Sequence, residues 1–144
     1  MKPLGSPVSP WRGTRNTDRY GSGVFGASRD GGSRHHLGTD CLTVPGDSIL
    51  SPVHGVVKRL GLAYAGDTLG LIEIYGRGDY ETLRCLLLYV EPDIAAGALV
   101  HPGSRIGVAQ SLQARYPGIK DHVHVEIWQT HNAADLLKHL TVEV

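Results

Sequence analysis

Charge of one sign is what this 144-residue chain lacks: Lys plus Arg total 14, Asp plus Glu total 14, and the formal net charge is zero. A balanced chain has no electrostatic footprint for nucleic acid or an anionic membrane surface, so neither is expected as a partner. No run reaches the ~18 apolar residues of a membrane-crossing helix. The opening Met1-Lys2-Pro3-Leu4-Gly5-Ser6-Pro7 does not lead into the apolar stretch of a secretory signal. If Met1 is the true start, export by the signal-peptide route is not expected. Cysteine is scarce as well. Cys41 and Cys85 can make one bridge at most, and the lack of a CxxC pair excludes a four-thiolate zinc site. Strand parity turns Cys41 away from the side bearing Asp40 and gives Cys85 the parity of Tyr89. Both are expected as reduced, mostly buried thiols.

What the chain has in quantity is glycine, 19 residues, beside 8 prolines. That composition favours many turns and short strands over long helices. The length suits one domain able to bury its own core. Residues 1–24 keep no period of 2 or 3.6 and carry Trp11 and Tyr20 as their large apolar groups. They are expected as an arm, either flexible, docked on a structural protein partner through Trp11, or packed on its own domain near the groove. The domain then runs over 25–144. Strands are expected over 39–44, 48–50, 53–60, 69–75 and 82–90, with Gly55 a bulge or a point of close approach. Gly76-Arg77-Gly78-Asp79 joins the two strongest of them as a hairpin. Asn132 can cap a short C-terminal helix over 133–140, with Leu136, Leu137 and Leu140 as its apolar stripe. The sum is a mainly β fold built on an antiparallel sheet.

The most informative stretch is Asp121-His122-Val123-His124-Val125-Glu126-Ile127-Trp128. Its strict alternation is that of a half-buried strand, placing His122, His124 and Glu126 on one face and Val123, Val125 and Ile127 on the other. Upstream, a glycine-rich loop leads into His36-Leu37-Gly38-Thr39-Asp40. Two imidazoles and a carboxylate suit zinc, with a fourth position left to water as in a catalytic site. Two partly buried imidazoles hydrogen-bonded across a sheet would show the same spacing, so the residues alone leave both readings open. His54, His101, His131 and His139 lie in turn-like or amphipathic contexts and read as surface histidines.

His36-x-x-x-Asp40 followed downstream by His122-x-His124 resembles the lysostaphin-type zinc endopeptidases, which cleave peptide bonds in bacterial peptidoglycan. Gly23-x-Phe25-Gly26-Ala27, Pro52-x-x-Gly55-x-Val57 and the glycine series from Gly97 to Gly107 extend the resemblance over residues 22–128. In the second half, Tyr89-Val90-x-Pro92 and Tyr116-Pro117-Gly118-Ile119 leading into His122 are more similar to leukocyte cell-derived chemotaxin, a secreted animal protein of the same fold. The resemblance implies an open groove with a zinc site in which His36, Asp40 and His124 are ligands and His122 is general base toward water. Glu126 shares the site face and is a candidate to orient His124 or, equally, a structural carboxylate at the sheet end. The peptidases carry a further histidine where this chain has Tyr89, as the chemotaxin does; its phenol is the donor available to a developing oxyanion. The implied activity is a zinc-dependent peptidoglycan endopeptidase acting outside the cell or in the periplasm, in a setting such as a phage particle. The competing expectation is a non-catalytic, zinc-stabilised binding module that recognises a receptor or a wall peptide.

Overall fold

Alternating apolar side chains dictate paired strands, and the computed structural model has them throughout. It describes residues 3–15 and 38–129, and the backbone of Thr17–Asp18, Gly21–Ser22, Ser28–Arg29, Arg34–His35 and Lys138–Leu140. The strands are β1 (Val8–Ser9), β2 (Thr17–Asp18), β3 (Gly21–Ser22), β4 (Ser28–Arg29), β5 (Arg34–His35), β6 (Thr39–Leu42), β7 (Ser48–Leu50) and β8 (Gly55–Leu62). They continue as β9 (Gly70–Gly76), β10 (Leu83–Leu88), β11 (Val90–Pro92), β12 (Leu99–Val100), β13 (Arg105–Ala109), β14 (His122–Gln129) and β15 (Lys138–Leu140). Among the described residues the helical content is one 3-10 turn, Gly78–Tyr80, in the expected hairpin connection.

Two antiparallel sheets carry the domain. The larger has the order β12-β8-β9-β10-β14, with β6 and β15 sharing the far edge of β14; the smaller has the order β1-β7-β13-β11. β2–β3 and β4–β5 form separate two-stranded pairs. The core lies between the sheets. Val57, Ile72, Ile74, Leu87, Val123, Val125 and Ile127 come from the larger, and Val8, Ile49, Val90 and Ile106 from the smaller, all fully buried. Cys41 and Cys85 belong to the same cluster as free thiols, as expected. Gly55 proves to be a point of close approach: a Cβ there would lie 2.4 Å from the Tyr75 carbonyl oxygen. The register irregularity falls two residues later, between Val57 and Arg59.

One expectation changes, and the described part of the arm takes the alternative of packing on its own domain. The helix over 133–140 is corrected at its end, because Lys138–Leu140 is strand β15, paired with Gln129, Trp128 and Ile127 of β14. Beyond β6 that edge of β14 has unpaired N–H and C=O groups, which a strand satisfies and a helix does not. Residues 133–137 lie outside the described residues. The described part of the arm, in turn, is built into the domain. Val8–Ser9 pairs with Ile49 and Ser48, and Val8 enters the core. The Gly5 N–H donates to the Pro52 carbonyl, and the Tyr80 hydroxyl donates to that of Pro3. Thr14 bridges to Cys41, whereas the Trp11 side chain is exposed. A two-residue strand is too short to display a period, which is why the sequence reads as an arm.

Candidate active site

The outer face of β14 carries the site. With Val123, Val125 and Ile127 committed to the core, His122, His124, Glu126 and Trp128 project from the opposite side. β6 runs along the free edge in a register that sets Asp40 directly across from His124. Asp40 Oδ1 is then 2.8 Å from His124 Nδ1, and Glu126 Oε2 is 2.9 Å from His124 Nε2. Trp128 Nε1–H donates to Glu126 Oε1 at 2.9 Å, so the carboxylate expected to orient His124 is itself held. Gly38 completes the packing: a Cβ there would lie 2.7 Å from His124 Cε1 and from the Val125 carbonyl oxygen. Only a residue without a side chain admits the ring.

Electrostatics follow from this geometry. Burial alone would lower the His124 pKa, but hydrogen bonds and charge from Asp40 and Glu126 outweigh it and raise it to about 9. Arg15, from the N-terminal segment, places Nη1 2.8 Å from Asp40 Oδ2, with both side chains 3% exposed. His122 behaves in the opposite sense. Burial depresses its pKa, and the nearby Asp40 charge opposes the shift only in part. His122 Nδ1 lies 2.8 Å from the Lys120 carbonyl oxygen, which can only accept, so Nδ1 carries the proton. The neutral ring therefore has a bare Nε2, 3.4 Å from Asp40 Oδ2.

Tyr89 reaches the same face by a kink. It lies between β10 and β11 with φ 76°, the one non-glycine residue in the left-handed region among those described. The parity expectation is corrected here: Cys85 and Leu87 point into the core, whereas the kink turns Tyr89 to the site side. Its ring meets His122 edge-on with centroids 5.4 Å apart. A left-handed tyrosine costs about 1–2 kcal/mol, and surrounding contacts hold it there. The Tyr89 N–H donates to the Gly70 carbonyl, and its own carbonyl accepts from Gln110. Its phenol is 2.7 Å from that of Tyr64, which accepts in turn from Tyr116 at 3.0 Å.

Asp40, His122, His124 and Tyr89 are thus brought together; His36 lies outside the described residues. Arg15, Tyr64 and Trp128 are contacts that sequence reasoning missed. Trp128 had a signal, being the next outward position of the same strand. Arg15 had none. Among the described residues no three His, Cys, Asp or Glu side chains gather as a metal-holding group. The chemistry of the pair that is present fits zinc. An imidazole Nδ1 and a carboxylate oxygen adjoin, and the other imidazole nitrogen is tied to a second carboxylate, as for metal-ligating histidines generally.

Comparison with known proteins decides the family. No family model matches the chain. Mouse leukocyte cell-derived chemotaxin-2 is 33% identical over 115 residues, covering 78% of this chain and 71% of the mouse protein. The chain belongs to the leukocyte cell-derived chemotaxin-2 family. Its fold is that of solved peptidases. The catalytic domain of the antimicrobial peptidase lysostaphin from Staphylococcus simulans aligns with TM-score 0.60 and 18% identity over 90% of this chain and 88% of that domain. A zinc containing peptidase from Vibrio cholerae aligns with TM-score 0.54 and 21% identity over 87% of this chain. This chemotaxin-2 family member spans 35% of that peptidase's length and 52% of the longer lysostaphin chain.

Proposed function

We propose that this chain is a zinc-dependent endopeptidase that cleaves peptide bonds in bacterial peptidoglycan. The observation that carries the reading is the placement of His122 between the Asp40–His124 pair and the Tyr89 phenol, with Nδ1 committed to Lys120 and Nε2 bare. Asp40 Oδ1 and His124 Nδ1 would hold zinc, with His36 as the third donor. The metal supplies Lewis acidity toward water and a peptide carbonyl. His122 Nε2 accepts the proton of the attacking water, and the Lys120 bond keeps the ring from swinging away. Glu126 and Trp128 hold the His124 ring in its ligating orientation. Tyr89, kept protonated chiefly by burial, donates to the carbonyl oxygen as charge develops there. The wall peptide lies along the outer face of the larger sheet.

One observation favours a second reading, a non-catalytic binding module of the same fold. Arg15 already neutralises Asp40 from a segment whose backbone pairs along β6. Zinc content and wall-fragment release decide between the two. Wild type and His139→Ala should each hold about one zinc per chain, and Asp40→Ala and His124→Ala should hold none. Zinc-loaded wild type should release new amino termini from purified sacculi. Zinc without release, on walls of several peptide types, gives the binding module its case. Equal zinc in all four proteins removes the site itself.

A further inference from the structure

We propose that Arg115, Tyr116 and Tyr64 form a directed hydrogen-bond chain that leaves the Tyr89 hydroxyl proton available to a ligand's oxygen. This makes the three of them positioning residues for the donor, and it rests on the hydrolytic reading of the site. The direction follows from the number of protons each group holds. A guanidinium can only donate, and Arg115 Nε–H donates to the Tyr116 oxygen at 3.3 Å. Tyr116 has a single hydroxyl proton and donates it to Tyr64 at 3.0 Å. The 2.7 Å contact between Tyr64 and Tyr89 admits either donor; with Tyr64 already accepting from Tyr116, its own proton goes to Tyr89. Tyr89 is then an acceptor from the chain, and its own proton is left to point into the site. Were the chain reversed, that proton would be spent on Tyr64 and Tyr89 would have nothing to give.

Charge sets the same direction. Arg115 stands at one end, with its guanidinium 3.8 Å from the centre of the Tyr64 ring, which favours hydroxyl dipoles whose protons point away from it. The Asp40 carboxylate acts on the Tyr89 phenol from the far end and draws protons toward the site. Arg115 is fixed in turn by Asp67, Nη1 to Oδ2 at 3.1 Å. The remaining wall is apolar: Leu69, Leu112 and Ile119 pack with Tyr89 in one buried cluster, a setting in which hydroxyls hold their partners. The chain therefore links the segment between β8 and β9, which carries Tyr64, and the loop before β14, which carries Tyr116, to one donor atom.

The test places 3-fluorotyrosine at position 89 of the full zinc-loaded chain and reads its fluorine resonance beside the kinetics of release from sacculi. Tyr64→Phe, Tyr116→Phe and Arg115→Met should each displace the resonance in the same sense, most for Tyr64→Phe. Each should lower kcat, by about tenfold for Tyr64→Phe, less than the ~10²–10³ lost when a donor is removed outright, with KM within about twofold. The Tyr116 hydroxyl bonds to Tyr64 and reaches Tyr89 through it. A packing role for Tyr64 alone would therefore leave the resonance unmoved by Tyr116→Phe, and that result overturns the chain. Displaced resonances with unchanged kcat overturn the positioning role. Displaced resonances in a protein whose wild type releases nothing keep the chain and remove the hydrolytic reading instead. Should Tyr64→Phe fail to fold, Tyr116→Phe and Arg115→Met separate the same outcomes.

Discussion

Arg15 is the residue through which the site and its own chain meet most closely. Its charge and that of Asp40 are both out of water, and removing one partner of such a pair costs about 3 kcal/mol. Urea denaturation of the zinc-free protein at neutral pH should show that loss for Arg15→Met; a change below about 0.5 kcal/mol would mean that Asp40 is neutralised without Arg15. Gly38→Ala should displace the His124 ring, lowering stability by about 1–3 kcal/mol and abolishing stoichiometric zinc. Retained zinc at unchanged stability would show that the ring has room. The thiols of Cys41 and Cys85 are pushed up to about 12, chiefly by burial, with the Asp40 charge adding at Cys41. Neither should react with a thiol reagent at pH ~8 until the protein is unfolded; rapid labelling of one would place it outside the core. At this scale the shared face of His122 and His124 was legible because alternation is local, whereas Asp40 was picked out by its spacing from His36 and by resemblance. Arg15 and Tyr64 were not, since each meets its partner 25 residues along the chain and no period links them.

Among the elements, β14 was legible almost to the residue because it buries one face and shows it by alternation, and β9 and β10 were legible as apolar runs joined by a glycine-rich turn. β1 and β15 were not. Two or three residues show no period, and both are made strands by the edges they complete. β1 nevertheless contributes Val8 to the core, so the N-terminal segment is expected to matter for folding. Val8→Ala should cost about 2 kcal/mol, and deleting residues 3–9 should lower the thermal midpoint sharply. A truncated chain that unfolds with unchanged cooperativity and midpoint would contradict the packing of β1. The kink at Tyr89 was hidden for a related reason: parity arguments assume that a strand continues, and here it turns over between β10 and β11.

For the whole molecule, the two histidines of β14 impose opposite pH dependences on the zinc-free protein. His124, raised to about 9 in the fold, contributes stability that is complete below its unfolded value near ~6.5 and is lost as pH rises through about 9. His122, depressed by burial, contributes stability that is present above ~6.5 and is lost as pH falls through its folded value. Stability of the zinc-free chain should therefore peak near pH ~6.5 and fall on the alkaline side by up to about 1.4 kcal/mol per pH unit. Denaturation midpoints that rise steadily from pH ~6.5 to ~9 would contradict the protonated His124. The proposed chemistry depends on the Tyr89 phenol as donor to the developing oxyanion, and Tyr89→Phe tests it most directly because it keeps the ring and removes one proton donor. With zinc content and thermal midpoint equal to wild type, its turnover on sacculi should fall by ~10²–10³. Equal release by the two proteins would show that Tyr89 only packs and that the proposed chemistry fails at its donor.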